Sequence, residues 1–271
     1  MSIIPSFMCL ALLLLTGGKL QAAPASGGTI TVGIGQDVGP LDLARSMRMP
    51  PAMIILSTNE TLISRTTDPA MRTNIFRPEL ARTWTPLESG RVWEFELENG
   101  HRFDDGTPVT ADAVKYTFER IFALNRGTSS SYAFIKKVEV IDRMRVKFHL
   151  DGPHPLFLPL IADAAAAIIN PLSQRRAVNN DYASQWLSRN TAGSGPYRLA
   201  HYQPGSHYIL EPNPHYHKGG LATRRVIIRV IKDESIRRIQ LQNGDIDMAL
   251  HLGVEAITAL GKARGITVKS A

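Results

Sequence analysis

Residues 226 to 231 read Val-Ile-Ile-Arg-Val-Ile, apolar on nearly both faces of an extended chain. Only a strand with neighbours on both edges and cover on both sides can bury such a run. The residues C-terminal to it narrow the choice further. Helical segments at Glu234–Asn243, closed by Gly244, and Val254–Ala263, ending near Gly265, alternate with short strand-like runs at Ile246–Ala249 and Ile266–Lys269. That β-α-β-α-β order predicts a partly parallel sheet with crossover helices. Near the start, Ile30, Val32 and Ile34 alternate within Gly28–Ile34 and mark another strand.

The middle of the chain has a different rhythm. Val92–Leu97 sets Trp93, Phe95 and Leu97 against Glu94 and Glu96. Asn99-Gly100 marks a tight turn after it, with Arg102-Phe103 expected to return the chain. Asp104-Asp105-Gly106-Thr107-Pro108 reads as a second turn. Thr110 is then placed to cap a helix over Ala111–Leu124, with Asp112 in its first turn and Val114, Phe118, Ile121 and Phe122 forming one apolar stripe. Val138–Ile141 and Arg145–Leu150 predict a hairpin, Ala52–Ile63 a helix, and Tyr197–Tyr202 and His207–Glu211 two later strands. A strand-rich middle between α/β ends predicts an inserted domain. One lobe is expected from 26–60 and 170–271, interrupted by a smaller α+β domain at 61–169.

With 44% apolar and 20% charged residues in 271, the chain has the profile of a globular protein, not of disorder. Phe7 to Leu15 is an unbroken apolar run, far short of the roughly 20 residues that span a bilayer. Small residues at Ala23 and Ala25 lie beyond it, so residues 1–25 read as a cleaved secretory signal with Ala25 the last residue removed. Cys9, the single cysteine, falls inside that run; the mature chain would then hold no thiol for a disulfide, zinc site or nucleophile. A net charge of +7 raises nucleic acid as a partner, but the basic residues occur in scattered pairs without interleaved aromatics. No nucleic-acid partner is expected.

Few residues suggest chemistry. His215-x-His217 has metal-like spacing if it lies on a strand, with His201 and His207 nearby, yet Pro212 and Pro214 argue for a loop. Gly193-Ser194-Gly195 resembles a nucleophile elbow but has Ala192 in place of the leading glycine, and Pro196 comes directly after. Asp104 and Asp105 are adjacent and turn-forming. No catalytic residue, metal site or cofactor is expected, and the chain is not read as an enzyme.

Several ordered segments then carry a resemblance. They are Leu80-Ala81-Arg82-Thr83-Trp84, Trp93 to Gly100, Phe103 to Val114, Val138 to Asp142, Gly193 to Leu199, Glu211 to Tyr216 and Leu241 to Ala249. Together they resemble the extracytoplasmic solute-binding proteins of family 5, the oligopeptide-, dipeptide- and nickel-binding components of ABC transporters. The resemblance covers roughly 28–271.

It implies a periplasmic-binding-protein type II-like lobe with a mixed sheet, in a monomeric, periplasmic receptor that closes on a solute and presents it to membrane permease subunits. A peptide or similar small polar solute is the expected ligand, a nickel chelate the alternative, and an extracytoplasmic hydrolase a more distant one. Family members run longer, so the expectation is that the second large lobe, with the acidic residue that meets a peptide's N-terminus, is missing here. The resemblance places Met47, Arg48, Met49, Ser131 and Tyr132 on the ligand-facing side. Tyr132 would offer an aromatic face and Arg48 a partner for a carboxylate.

Overall fold

The computed structural model describes residues 28–45, 52–67, 73–263 and 265–268. The secretory segment expected at 1–25 lies outside them. In chain order the elements are β1 (Gly28–Ile34), α1 (Ala52–Thr58), β2 (Ile63–Thr67), β3 (Asn74–Pro78), β4 (Ala81–Leu87) and β5 (Val92–Leu97). Then come α2 (Ala111–Leu124), β6 (Ile135–Val140), β7 (Arg145–Leu150), α3 (Phe157–Ile161) and α4 (Ser184–Leu187). The last are β8 (Tyr197–Gln203), β9 (His207–Pro212), β10 (Thr223–Val230), α5 (Glu234–Asn243), β11 (Met248–Ala249) and α6 (Val254–Leu260).

The doubly apolar run lies in β10, at the centre of a five-stranded mixed sheet ordered β11-β1-β10-β9-β8. Here β1 runs parallel to both β10 and β11, with Val32 opposite Ile228 on one side and Met248 on the other. β10 meets β9 antiparallel, Val226 facing Leu210. Val32, Ile34, Tyr208, Leu210 and Ile228 pack with Ile54 and Ile55 of α1 into one core. Helix α5 begins where the Asp233 carboxylate accepts from the Ile236 amide at 2.9 Å, and ends at Gly244, whose φ of 80° is left-handed.

Between these strands in sequence lies a second sheet, β4-β5-β7-β6, all antiparallel. Its buried face packs on the apolar stripe of α2. Phe118 meets Phe148 edge-on at 5.0 Å, and Phe148 meets Phe95 edge-on at 5.5 Å. A separate ribbon, β2-β3, stands beside it.

Several expectations are corrected. Asn99-Gly100 does not fold β5 back onto Arg102-Phe103; β5 lies between β4 and β7, and Arg102 makes only an isolated bridge to Pro108. Strands β2, β3 and β4 carry many polar residues and two prolines, which mask their alternation. Thr110 stands extended at the start of α2, but its hydroxyl makes no cap bond. Helix α1 ends at Thr58 because Gly193 and Gly195 press against the Thr58–Asn59 backbone and the chain turns there. Ile266–Val268 forms no strand, and Lys269 lies outside the described residues. Among the described residues no helix is long and apolar enough to cross a membrane.

Candidate solute-binding face

In an open α/β sheet, ligands bind outside the carboxyl ends of parallel strands, where loops leave in different directions. Here that edge is formed by the ends of β1, β10 and β11, and one side chain bonds to the chain leaving the last two and packs against the chain leaving the first. Arg237, on α5 and 3% exposed, donates to the carbonyls of Ile231 at 2.5 Å, Lys232 at 3.0 Å and His251 at 2.8 Å. Gly35, just past β1, lies so close that an added Cβ would come within 3.1 Å of the guanidinium. The hydrogen-bond partners of Arg237 are all backbone carbonyls.

The chain that leaves β1 is also anchored. Asp37 accepts from the Tyr208 hydroxyl and from the Gly205 amide, the latter at 2.6 Å. Burial, and after it the hydrogen bond to Asp37, raises the Tyr208 phenol above its ordinary range. Five residues on, Asp42 is held by Arg120 of α2 and by the Ser184 hydroxyl at 2.6 Å. The Thr128 hydroxyl donates to the Leu43 carbonyl at 3.3 Å, joining this loop to the turn after α2.

That bond places Leu43 beside the segment that carries Ser131 and Tyr132. Met47, Arg48 and Met49 lie outside the described residues, in the stretch that Asp42 and Leu43 lead into. Ser131 is half-buried in the 3-10 turn Ser129–Tyr132, whose preceding residue Thr128 makes the bond to Leu43. Tyr132 is a correction. Its ring is 1% exposed and packs edge-on against Phe118 at 5.6 Å, while its hydroxyl donates to the Leu160 carbonyl at 3.1 Å. Burial pushes that phenol up from its ordinary range, and no aromatic face is left for a solute.

A groove of about 890 Å³ opens at the other end of the sheet, where Glu211 meets Arg225 near the start of β10. Both signs of charge line it, from Asp104, Asp105, Arg175, Arg176 and Arg198. Asp105 shapes the turn above it, accepting from the Thr107 amide and from Asn170, each near hydrogen-bond optimum at 2.9 and 2.8 Å. Burial and the neighbouring Asp105 raise Asp104 to about 6.

The remaining motifs find structural roles or new partners. A Cβ on Gly193 would lie 2.2 Å from the Thr58 carbonyl oxygen, and one on Gly195 2.6 Å from the Thr58 carbonyl carbon. The two glycines serve close backbone approach, and the Ser194 hydroxyl between them is buried with no hydrogen-bond partner. His215 and His217 do not share a strand face, because 213–222 is a loop. The His215 ring covers Gly106, whereas His217 turns toward His101 and Glu60. Burial first, and then the facing His101, holds His217 below its ordinary range.

A five-stranded mixed sheet interrupted in sequence by a four-stranded antiparallel one, with loops at the carboxyl edge of the first, defines one lobe of a periplasmic-type binding protein. Residues 76–271 match the model of the bacterial extracellular solute-binding proteins, family 5, and the chain belongs to that family. It is 33% identical over 259 residues to the probable D,D-dipeptide-binding periplasmic protein DdpA of Escherichia coli K12, covering 96% of this chain and 50% of that one. Similarity to the E. coli periplasmic murein peptide-binding protein MppA is 25%, over 90% of this chain and 48% of that one. Among solved structures, the fold is that of DppA from Helicobacter pylori in complex with the peptide STSA. The TM-score is 0.76 at 22% identity, covering 89% of this chain and 50% of that one. The chain spans about half the length of these relatives.

Proposed function

We propose that these 271 residues form one wall of the solute cleft of an ABC importer's extracytoplasmic binding component, and that the solute is a peptide. The observation that carries this reading is the 33% identity to a probable dipeptide-binding protein across 96% of the chain. The periplasmic location of that relative and of MppA supports export by the 1–25 segment and delivery of the solute to membrane permease subunits. The solute would meet the carboxyl edge of β1, β10 and β11, and Met47, Arg48, Met49 and Ser131 are the residues proposed to contact it. The charge of Arg48 suits the carboxylate of a peptide.

Two features support a wall that is completed by more polypeptide. β11 is a sheet edge, and beside it Ile236, Ile239, Met248 and Val254 are 47%, 49%, 50% and 80% exposed. Exposed apolar side chains along an open edge make a surface that further chain would cover. A micromolar receptor has about −8 kcal/mol of binding free energy, and half of that is about −4, roughly millimolar. Calorimetry with D-Ala-D-Ala and with L-dipeptides tests the reading. Millimolar binding of dipeptides is expected; submicromolar affinity would contradict a single wall, and indifference to dipeptides beside binding of another solute class would contradict the peptide.

A further inference from the structure

We propose that Glu60, His101 and His217 form a binding site for one divalent first-row transition-metal ion, such as zinc or nickel, distinct from the solute face. One ligand atom from each residue can be chosen so that all lie within 4.8 Å of one another. Nδ1 of His101 is 3.1 Å from Oε2 of Glu60, and Nδ1 of His217 is 3.6 Å from Oε1. The two imidazoles thus approach different oxygens of the one carboxylate, and a set of single ligand atoms within 4.8 Å can close on one ion with bonds of about 2.0–2.1 Å by small side-chain rotations. Two imidazoles and one carboxylate are the donors that zinc and nickel take, and they leave a fourth position for water.

The surroundings favour an ion. The Glu60 and His101 side chains are 4% and 3% exposed, so two ligands are held in place inside the protein. The His217 side chain is 23% exposed and rides on the loop between β9 and β10, which gives the ion an entrance. The two rings already face each other, with centroids 3.9 Å apart and planes tilted 40°. Glu79, bonded to the Thr61 amide and hydroxyl at 2.9 and 2.5 Å, lies within electrostatic reach of Glu60, and Lys218 lies within reach of His217.

The three ligands come from three segments: the chain after α1, the turn after β5 and the loop before β10. An ion there would fasten that loop to the rest of the lobe at the end of the sheet where β10 begins, opposite the carboxyl edge. The site is therefore independent of the peptide reading.

The test is titration of the untagged chain, stripped with chelator, by zinc and by nickel ions, read by calorimetry and by melting temperature. One equivalent should bind and raise the melting temperature. Loss of even an outer-shell partner weakens a metal site about 10–100-fold, so His217→Ala should weaken this one by at least about tenfold. His217 lies at the surface, and the variant should fold with an unchanged metal-free melting temperature. His201 and His207, whose rings stack at 5.2 Å, are the competing pair; His201→Ala with His207→Ala should leave binding intact. No binding by either ion, binding unaffected by His217→Ala, or binding lost only with the His201/His207 variant would overturn the proposal.

Discussion

Arg120 grips both oxygens of Asp42, at 3.0 and 2.6 Å, with the two side chains only 2% and 3% exposed. The pair fixes the loop leaving β1 to the long helix α2, and the Tyr182 carbonyl takes the remaining Nε–H at 2.7 Å. Breaking such a buried pair leaves one charge without a partner, which costs about 3–5 kcal/mol. Asp42→Ala and Arg120→Met should each lower stability by that amount in urea denaturation. The double variant Asp42→Ala with Arg120→Met should recover much of the loss. A double variant as unstable as the sum of the singles would show that the two act separately.

Gly193 and Gly195 admit no side chain. A Cβ at either would meet backbone atoms of Thr58 that cannot swing aside. Gly193→Ala should cost about 3 kcal/mol or more, the upper range for forcing atoms into packed space. Ser194→Ala should be neutral or slightly stabilising, because the buried hydroxyl has no partner to lose. Chemical denaturation of both variants checks the contrast, and a strongly destabilised Ser194→Ala would contradict it.

Asp104 should make stability depend on pH. Its folded-state value is raised to about 6 by burial and then by Asp105, so the folded chain binds this proton more tightly than the unfolded chain does. The resulting stabilisation is fully present below the unfolded value, near 4, and is lost as pH rises through about 6. Asp104→Asn cannot titrate, so the difference in urea midpoint between wild type and variant should change between pH 4 and 6 and be flat above. A difference that stays constant over that window would contradict the raised value.

Tyr132→Phe should cost about 1 kcal/mol through the lost bond to Leu160 and leave dipeptide binding unchanged. A variant with wild-type stability and weakened dipeptide binding would return Tyr132 to the solute face.

The parts of this fold legible in the sequence are those with one strong local cause. Helices α2 and α5 arise from a stripe of apolar residues or a Gly244 stop, and β10 from a run apolar on both faces. Strands β2 to β4 are hidden because each is held by its neighbours in a ladder, with much of its surface polar and exposed. The site is harder to read for the same reason. Nothing near Asp42 in sequence points to Arg120, 78 positions away, and nothing in Arg237 announces three carbonyls gathered from two strand ends and a loop. His215-x-His217 has a metal-like spacing, yet the fold sends the two rings apart and gives His217 its partners from 60 and 101. Tyr132 is ambiguous in sequence because an aromatic residue with a hydroxyl suits a core with one carbonyl to satisfy as well as it suits a pocket.

Where a peptide touches this chain can be mapped directly. Amide chemical shifts would be recorded while a dipeptide is raised to several times its roughly millimolar dissociation constant. Saturable shifts are expected at Gly35–Asp37, at Lys232 and Asp233, and at His251–Gly253, along the carboxyl edge beside Arg237. Shifts confined to the groove around Asp104, Arg175 and Arg198, with the carboxyl edge silent, would contradict a solute face at that edge.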